Sequence, residues 1–248
     1  MSFDLLFQPV EHVDAWLTGL FSGASLATAL VIALVLGLRH ASDPDHLIAV
    51  TSLVASDGGD ARAAARLGAW WGIGHAGTLM VVGLPLIFAK SALPAWLERG
   101  AETAVGVVIL LLALRVIAKW ARGDFRAGRH RHPPLRRGHR HLHRAQEPDH
   151  GHQQLRTPRQ AFGIGVLHGL PGTGAVVVLL IAALPGRLEA AAALAVFAPA
   201  TIASMALCTT AFAWLLTRPL VEPIYRGVLI PAFGLFALMF GAWYAGIA

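Results

Sequence analysis

The chain has 248 residues, of which 56% are hydrophobic and only 14% charged, and its mean hydropathy is +0.60. Apolar runs this long exceed what a soluble core holds, and continuous Ala/Leu/Val/Gly windows are not the short alternating strands of a membrane barrel. The net charge of +6 would fit nucleic acid, but twelve of the 20 Lys and Arg residues lie between Arg115 and Arg159, in and beside one loop. Such clustering sets membrane topology and argues against a nucleic-acid partner.

Before Ser22 there is no Lys or Arg, so the basic region of a secretory signal is missing. In the segment 1–21, Leu6, Val10, Val13, Leu17, Leu20 and Phe21 fall at helical spacing with Asp4, Glu11 and Asp14 between them. This pattern predicts an interfacial helix on the extracytoplasmic side. A leader without function is the alternative.

Six apolar windows follow, at about 24–55, 67–89, 101–120, 160–184, 189–216 and 225–247, each long enough to cross a bilayer. The first ends in His40-Ala-Ser-Asp43-Pro-Asp45-His46. Ionisable groups at bilayer depth cost roughly 2.5–3.5 kcal/mol each, so four within seven residues demand a function, and metal binding is the first candidate. Pro44 has no N–H to give to the carbonyl of His40, so a helix break is expected here. Asp43 then stands as N-cap of a second half-helix with Pro44 at its first position. In an unbroken helix His40 and His46 would lie about 240° apart around the axis and could not share an ion; unwinding brings them together. Imidazole with carboxylate suits a late first-row divalent ion rather than magnesium or calcium. The competing structural reading is that Asp43 only caps and Arg39 forms a buried pair with Asp45.

The second window carries His75 in Trp70-Trp-Gly-Ile-Gly-His75-Ala-Gly-Thr78, where glycines permit close helix approach and a polar group faces the bundle. After the third window, the loop 121–158 holds seven histidines among its arginines and almost no large apolar side chain. It cannot pack a core and is expected to be disordered; it either buffers divalent metal or serves as a solvated, topology-fixing linker. The fourth window contains His168 in Gly165-Val-Leu-His168-Gly-Leu-Pro171-Gly-Thr-Gly174, a breaker-rich stretch that predicts a second interrupted helix. In the fifth, Pro199, Thr201, Ser204, Met205 and Cys208 form a mildly polar stripe read as helix packing rather than ligation. Cys208 is the lone cysteine, so an internal disulfide is excluded.

Gly37-Leu-Arg-His40 and Gly165-Val-Leu-His168 correspond at matching places in the two halves, 22–120 and 159–248. Three spans per copy make the second copy inverted, and inverted repeats with interrupted helices place a binding site at the midplane. The expected fold is therefore an all-α integral membrane protein of six transmembrane helices, arranged as two inverted three-helix repeats with the first and fourth spans interrupted. Arg62, Arg66, the basic loop, Arg218 and Arg226 share one face of this plan, and Lys90, Arg99 and Arg187 the other. The rich face is cytoplasmic by the positive-inside rule, which puts the chain in the inner membrane with both termini outside.

Arg39-His40-Ala-Ser-Asp-Pro-Asp45-His46 resembles the His-x4-Asp-His signature of the nickel/cobalt transporter superfamily. The residues around Gly74-His75 and the His-rich loop extend the likeness. Gly165–Gly174 and Phe197-Ala-Pro-Ala-Thr201-Ile-Ala-Ser-Met205 look like the six-span branch that includes urease-accessory-type nickel permeases. The resemblance implies that His40, Asp45 and His46 recognise nickel with His75 close by; together with Asp43 and His168 they make six candidate metal-binding residues. It further implies a secondary permease for Ni²⁺ or Co²⁺ as substrate, without a prosthetic group. The eight-span members carry an acidic motif in their second half where this chain has His168 and no carboxylate, so metal selectivity does not carry over. No P-loop is present for ATP hydrolysis, and the His-Glu-x-x-His helix of an intramembrane metalloprotease is absent, so an enzyme is not expected. Two alternatives stand beside import: metal efflux, and a non-transporting membrane scaffold that delivers nickel to urease or hydrogenase maturation proteins.

Overall fold

The computed structural model describes Trp16, Gly19, residues 25–43, 45–50, 61–122, 126–130, 139–143, 157–184, 186–216, 218, 221 and 224–247. The interfacial helix expected within 1–21 lies outside these residues but for Trp16 and Gly19. Among the described residues, six apolar helices are bounded in chain order: α1 Leu26–His40, α2 Ala61–Ala89, α3 Ala95–Ala121, α4 Pro158–Ala183, α5 Arg187–Leu216 and α6 Ile230–Tyr244. A π-helical turn, Tyr225–Leu229, leads into α6. Five of the helical stretches are long and apolar enough to cross a membrane, while α1 has only 15 residues before its break.

The helix starts follow local chemistry. Ser25 caps α1 by accepting from the Thr28 N–H at 3.3 Å. Thr157 and Gln160 form a reciprocal capping box at α4, with Pro158 in the first turn where its missing N–H costs nothing. Inside the bundle, glycine and other small residues let backbones meet. α2 packs on both α4 and α5, α1 on α5, and α3 on α6. Gly74 lies against the Phe162 carbonyl and Gly165 against the Trp71 carbonyl, and a methyl group at Gly169 would stand 2.7 Å from the His75 carbonyl oxygen. Thr78 Oγ1 adds an interhelical bond to the Val166 carbonyl at 3.0 Å. Such contacts hold helices in a bilayer, where lipid is as apolar as leucine and hydrophobic burial drives nothing.

Each helix also turns large apolar side chains outward: Val31, Val81, Leu111, Val178, Leu207 and Leu235, on α1 to α6 in turn, are all exposed. Water would penalise that surface, and acyl chains satisfy it. This is the architecture of a multi-pass membrane protein.

The first span breaks where Pro44 predicts: α1 ends at His40, a turn occupies 41–43, and helix resumes over 45–50. The fourth span does not break. α4 runs continuously through Pro171, which corrects the expectation of a second interrupted helix. Its glycines are spent on contact instead, since Gly165 and Gly169 abut the α2 backbone and Gly74 of α2 returns the contact. Packing on α2 thus keeps as one continuous helix a sequence that reads as breaker-rich. In the His/Arg-rich loop, Arg126–His130 and His139–His143 pair as a two-stranded antiparallel ribbon, β1 and β2, with Gly128 opposite His141. The rest of 123–156 lies outside the described residues.

Candidate metal centre

The break after His40 is held open by α5. Ser204 Oγ donates to the Leu38 carbonyl at 2.6 Å and accepts from the Ala41 N–H at 3.3 Å. One hydroxyl thus satisfies two backbone groups at the end of α1, where four carbonyls lose their helical partners. The Asp43 carbonyl accepts from the Leu47 N–H at 2.9 Å and opens the second half-helix. The Asp43 side chain does not cap it. One carboxylate oxygen binds Arg39 Nη2 at 2.9 Å and the other His40 Nδ1 at 2.9 Å. Arg39 is therefore paired with Asp43, and the alternative Arg39–Asp45 pair is not formed.

Turning the chain here brings the ring centroids of His40 and His46 to 4.5 Å, an approach that an intact helix forbids. α2 contributes His75, whose Nε2 lies 3.0 Å from His40 Nε2. α4 contributes His168, whose Nε2 lies 2.9 Å from Asp45 Oδ2, while Asp45 Oδ1 lies 3.0 Å from His46 Nδ1. His46, His75 and His168 are almost fully buried, at 2%, 0% and 3% exposure. Trp71, one turn before His75, walls the cluster with its ring 5.5 Å from that of His46 and 5.8 Å from that of His168. Phe197 of α5 closes the His40 side at 5.4 Å. Gly172 faces His75 and His40 with no side chain of its own to fill the gap.

Five of the six residues proposed from sequence form two sets whose ligand atoms lie within 4.8 Å of one another: His40, His46 and His75, and Asp45, His46 and His168. Asp43 belongs to neither and orients His40 from behind, the outer-shell position that fixes an imidazole's tautomer. Trp71, Phe197 and Ser204 line or brace the centre. Trp71 shares the helical face of His75 at a spacing of four, which is the signal that could have marked it.

The hydrogen bonds fix where protons sit. An ionised carboxylate only accepts, so His40 carries its proton on Nδ1 toward Asp43, His46 on Nδ1 toward Asp45, and His168 on Nε2 toward Asp45. His40 Nε2 is then a lone pair, and His75 Nε2 donates to it. Three ring nitrogens, His46 Nε2, His75 Nδ1 and the indole Nε1 of Trp71, are left buried with no partner among the described residues. Buried polar atoms are seldom left so. Asp43 is paired to Arg39, and Asp45 is the carboxylate left to face the histidines of the centre. A buried cluster of imidazole nitrogens with a carboxylate is complementary to a late transition-metal dication.

The chain is similar to the urease accessory protein UreH of Bacillus sp. (strain TB-90). The two are 27% identical over 219 residues, covering 88% of this chain and 91% of the relative. No family model and no solved structure matches the chain. Covering 88% of this chain, the likeness to UreH runs through both halves and takes in the positions of the metal centre.

Proposed function

We propose that this protein is a secondary permease that carries Ni²⁺, and Co²⁺ as a second substrate, inward across the cytoplasmic membrane. The observation that carries the reading is the cluster of four imidazoles and one carboxylate at the break of a membrane helix, with His46 Nε2 buried and unpartnered among the described residues. A structural role would leave no lone pair without a donor. The urease accessory protein UreH among its relatives fits the nickel specificity that the signature resemblance implies. The ion is cargo, and the chain needs no prosthetic group and performs no catalysis.

Six spans in two inverted repeats suit this role, and the packing supports them. The principal helix pairs are α1 with α5, α2 with α4, α2 with α5 and α3 with α6. Exchanging α1 with α4, α2 with α5 and α3 with α6 leaves these four pairs unchanged, while the lesser α3–α4 contact has no α6–α1 counterpart of like extent among the described residues. Both termini then lie outside and the His/Arg-rich loop inside. Two charges moving inward gain about 4.6 kcal/mol per 100 mV, a concentration ratio of about three orders of magnitude.

Flux into vesicles reconstituted with the full chain tests the proposal. Ni²⁺ should accumulate only when the interior is made negative, and His46→Ala should abolish accumulation at equal protein density. Tight binding without flux in either direction would replace transport by a scaffold that hands nickel to maturation proteins, and outward movement against the field would replace import by efflux.

A further inference from the structure

The two ligand sets share one residue, His46. His46 turns Nδ1 to Asp45 Oδ1 at 3.0 Å, and its Nε2 is buried without a partner. Its ring lies 4.5 Å from that of His40, 5.1 Å from that of His75 and 4.6 Å from that of His168. The rings of His75 and His168 stand 6.2 Å apart, with His46 near both. Building on the transport reading, we infer that the centre is two successive metal positions, His40/His46/His75 and Asp45/His46/His168, between which His46 passes a single ion.

The chemistry of imidazole makes the two positions exclusive. A neutral imidazole holds one proton and offers one lone pair at a time. An ion among His40, His46 and His75 takes Nε2 of His46 and leaves Nδ1–H on Asp45, as the structure has it. An ion held by Asp45 and His168 takes Nδ1 of His46 and requires that ring's proton on Nε2, and it takes Nε2 of His168 with that ring's proton on Nδ1. His46 and His168 each keep one proton and each change the ring nitrogen that carries it as the ion changes sides, so the hand-over releases none overall. Two dications cannot bind neutral His46 together, and each bound state empties the other. The positions also differ in ligands: three nitrogens in the first, two nitrogens and an oxygen in the second. Asp45 changes role between them, orienting His46 in one and ligating in the other. Multiple weak positions in place of one tight cage let an ion both enter and leave.

Co²⁺ is the probe, because its visible bands report coordination, and the purified full chain in detergent micelles is the sample. The wild-type protein should bind one Co²⁺ per chain. His75→Ala and His168→Ala should each still bind one, the variant that keeps the tighter position no more than about twofold below wild type and the other more weakly, with two different spectra, oxygen-containing for His75→Ala and all-nitrogen for His168→Ala. His46→Ala should lose binding altogether, and neither His75→Ala nor His168→Ala should carry Ni²⁺ in vesicles. His75→Gln and His168→Gln, checked for an unchanged size-exclusion profile, repeat the test with less loss of volume. Two ions per wild-type chain, identical spectra for the two variants, or loss of binding in both as complete as in His46→Ala would overturn the inference while leaving transport through a single site intact. A wild-type protein that binds neither Co²⁺ nor Ni²⁺ would overturn the transport reading and this inference together.

Discussion

Gly169→Ala adds one methyl group outside the ligand set, and its effect follows from the spacing of α2 and α4. The new Cβ would stand 2.7 Å from the His75 carbonyl oxygen and 2.8 Å from Thr78 Cβ, where ordinary contact begins at 3.4 Å. The neighbours are backbone and a short branched side chain, so the helices must part by about 0.7 Å. His168 adjoins residue 169 and moves with it. Its 2.9 Å bond to Asp45 would stretch to about 3.6 Å, beyond hydrogen-bonding range. Overpacking of this kind costs about 1–3 kcal/mol, against which alanine recovers at most about 1 kcal/mol of helix propensity. Displacing one ligand by most of an ångström should lower flux by about one to two orders of magnitude, by analogy with misplaced catalytic groups. The assays are Ni²⁺ uptake into reconstituted vesicles and the thermal unfolding midpoint in detergent. Gly77→Ala and Gly163→Ala serve as controls, because a methyl group there meets nothing within 4 Å; both should keep full uptake with equal or higher stability. If Gly169→Ala behaves like these two in both assays, the close α2–α4 approach does not position His168.

Ser204→Ala removes the bonds to Leu38 and Ala41 that brace the helix break, and should cost about 1–3 kcal/mol in thermal or denaturant unfolding. Asp43→Asn releases both Arg39 and His40, and should weaken metal binding about 10- to 100-fold, measured by calorimetry, without changing stoichiometry. Deleting residues 124–155, which removes the His/Arg-rich loop, should leave most of the submicromolar Ni²⁺ uptake in place; a complete loss would make the loop the functional metal site.

Pro44 announces the break in the first span because its defect is local: a missing N–H and a ring that clashes one turn back. The spacing argument that His40 and His46 need unwinding to meet is local too, and the 4.5 Å ring separation agrees with it. Gly165, Gly169 and Pro171 show where local reasoning fails. The same glycines that weaken an isolated helix permit the closest packing in a bilayer, and only the α2 surface decides between these outcomes. Asp43 was legible as a carboxylate at a useful place, but whether it ligates, caps or orients depends on which partners reach it, and Arg39 and His40 reach it first. Ser204 reads as packing and does pack, yet its bonds to the break could not be foreseen, because they cross from α5 to α1 over more than 160 positions. The pairing of His75 with His40, and of His168 with Asp45, is tertiary in the same way.

The central claim is that metal crosses the membrane by way of His46. Accumulation of radiolabelled nickel at submicromolar concentration, compared among cells without the protein, cells with the wild-type chain and cells with His46→Ala at equal expression, tests it most directly. Accumulation above the empty control that vanishes in the variant is the predicted result. Equal nickel in all three would contradict the account, and depletion below the control that depends on His46 would reverse its direction.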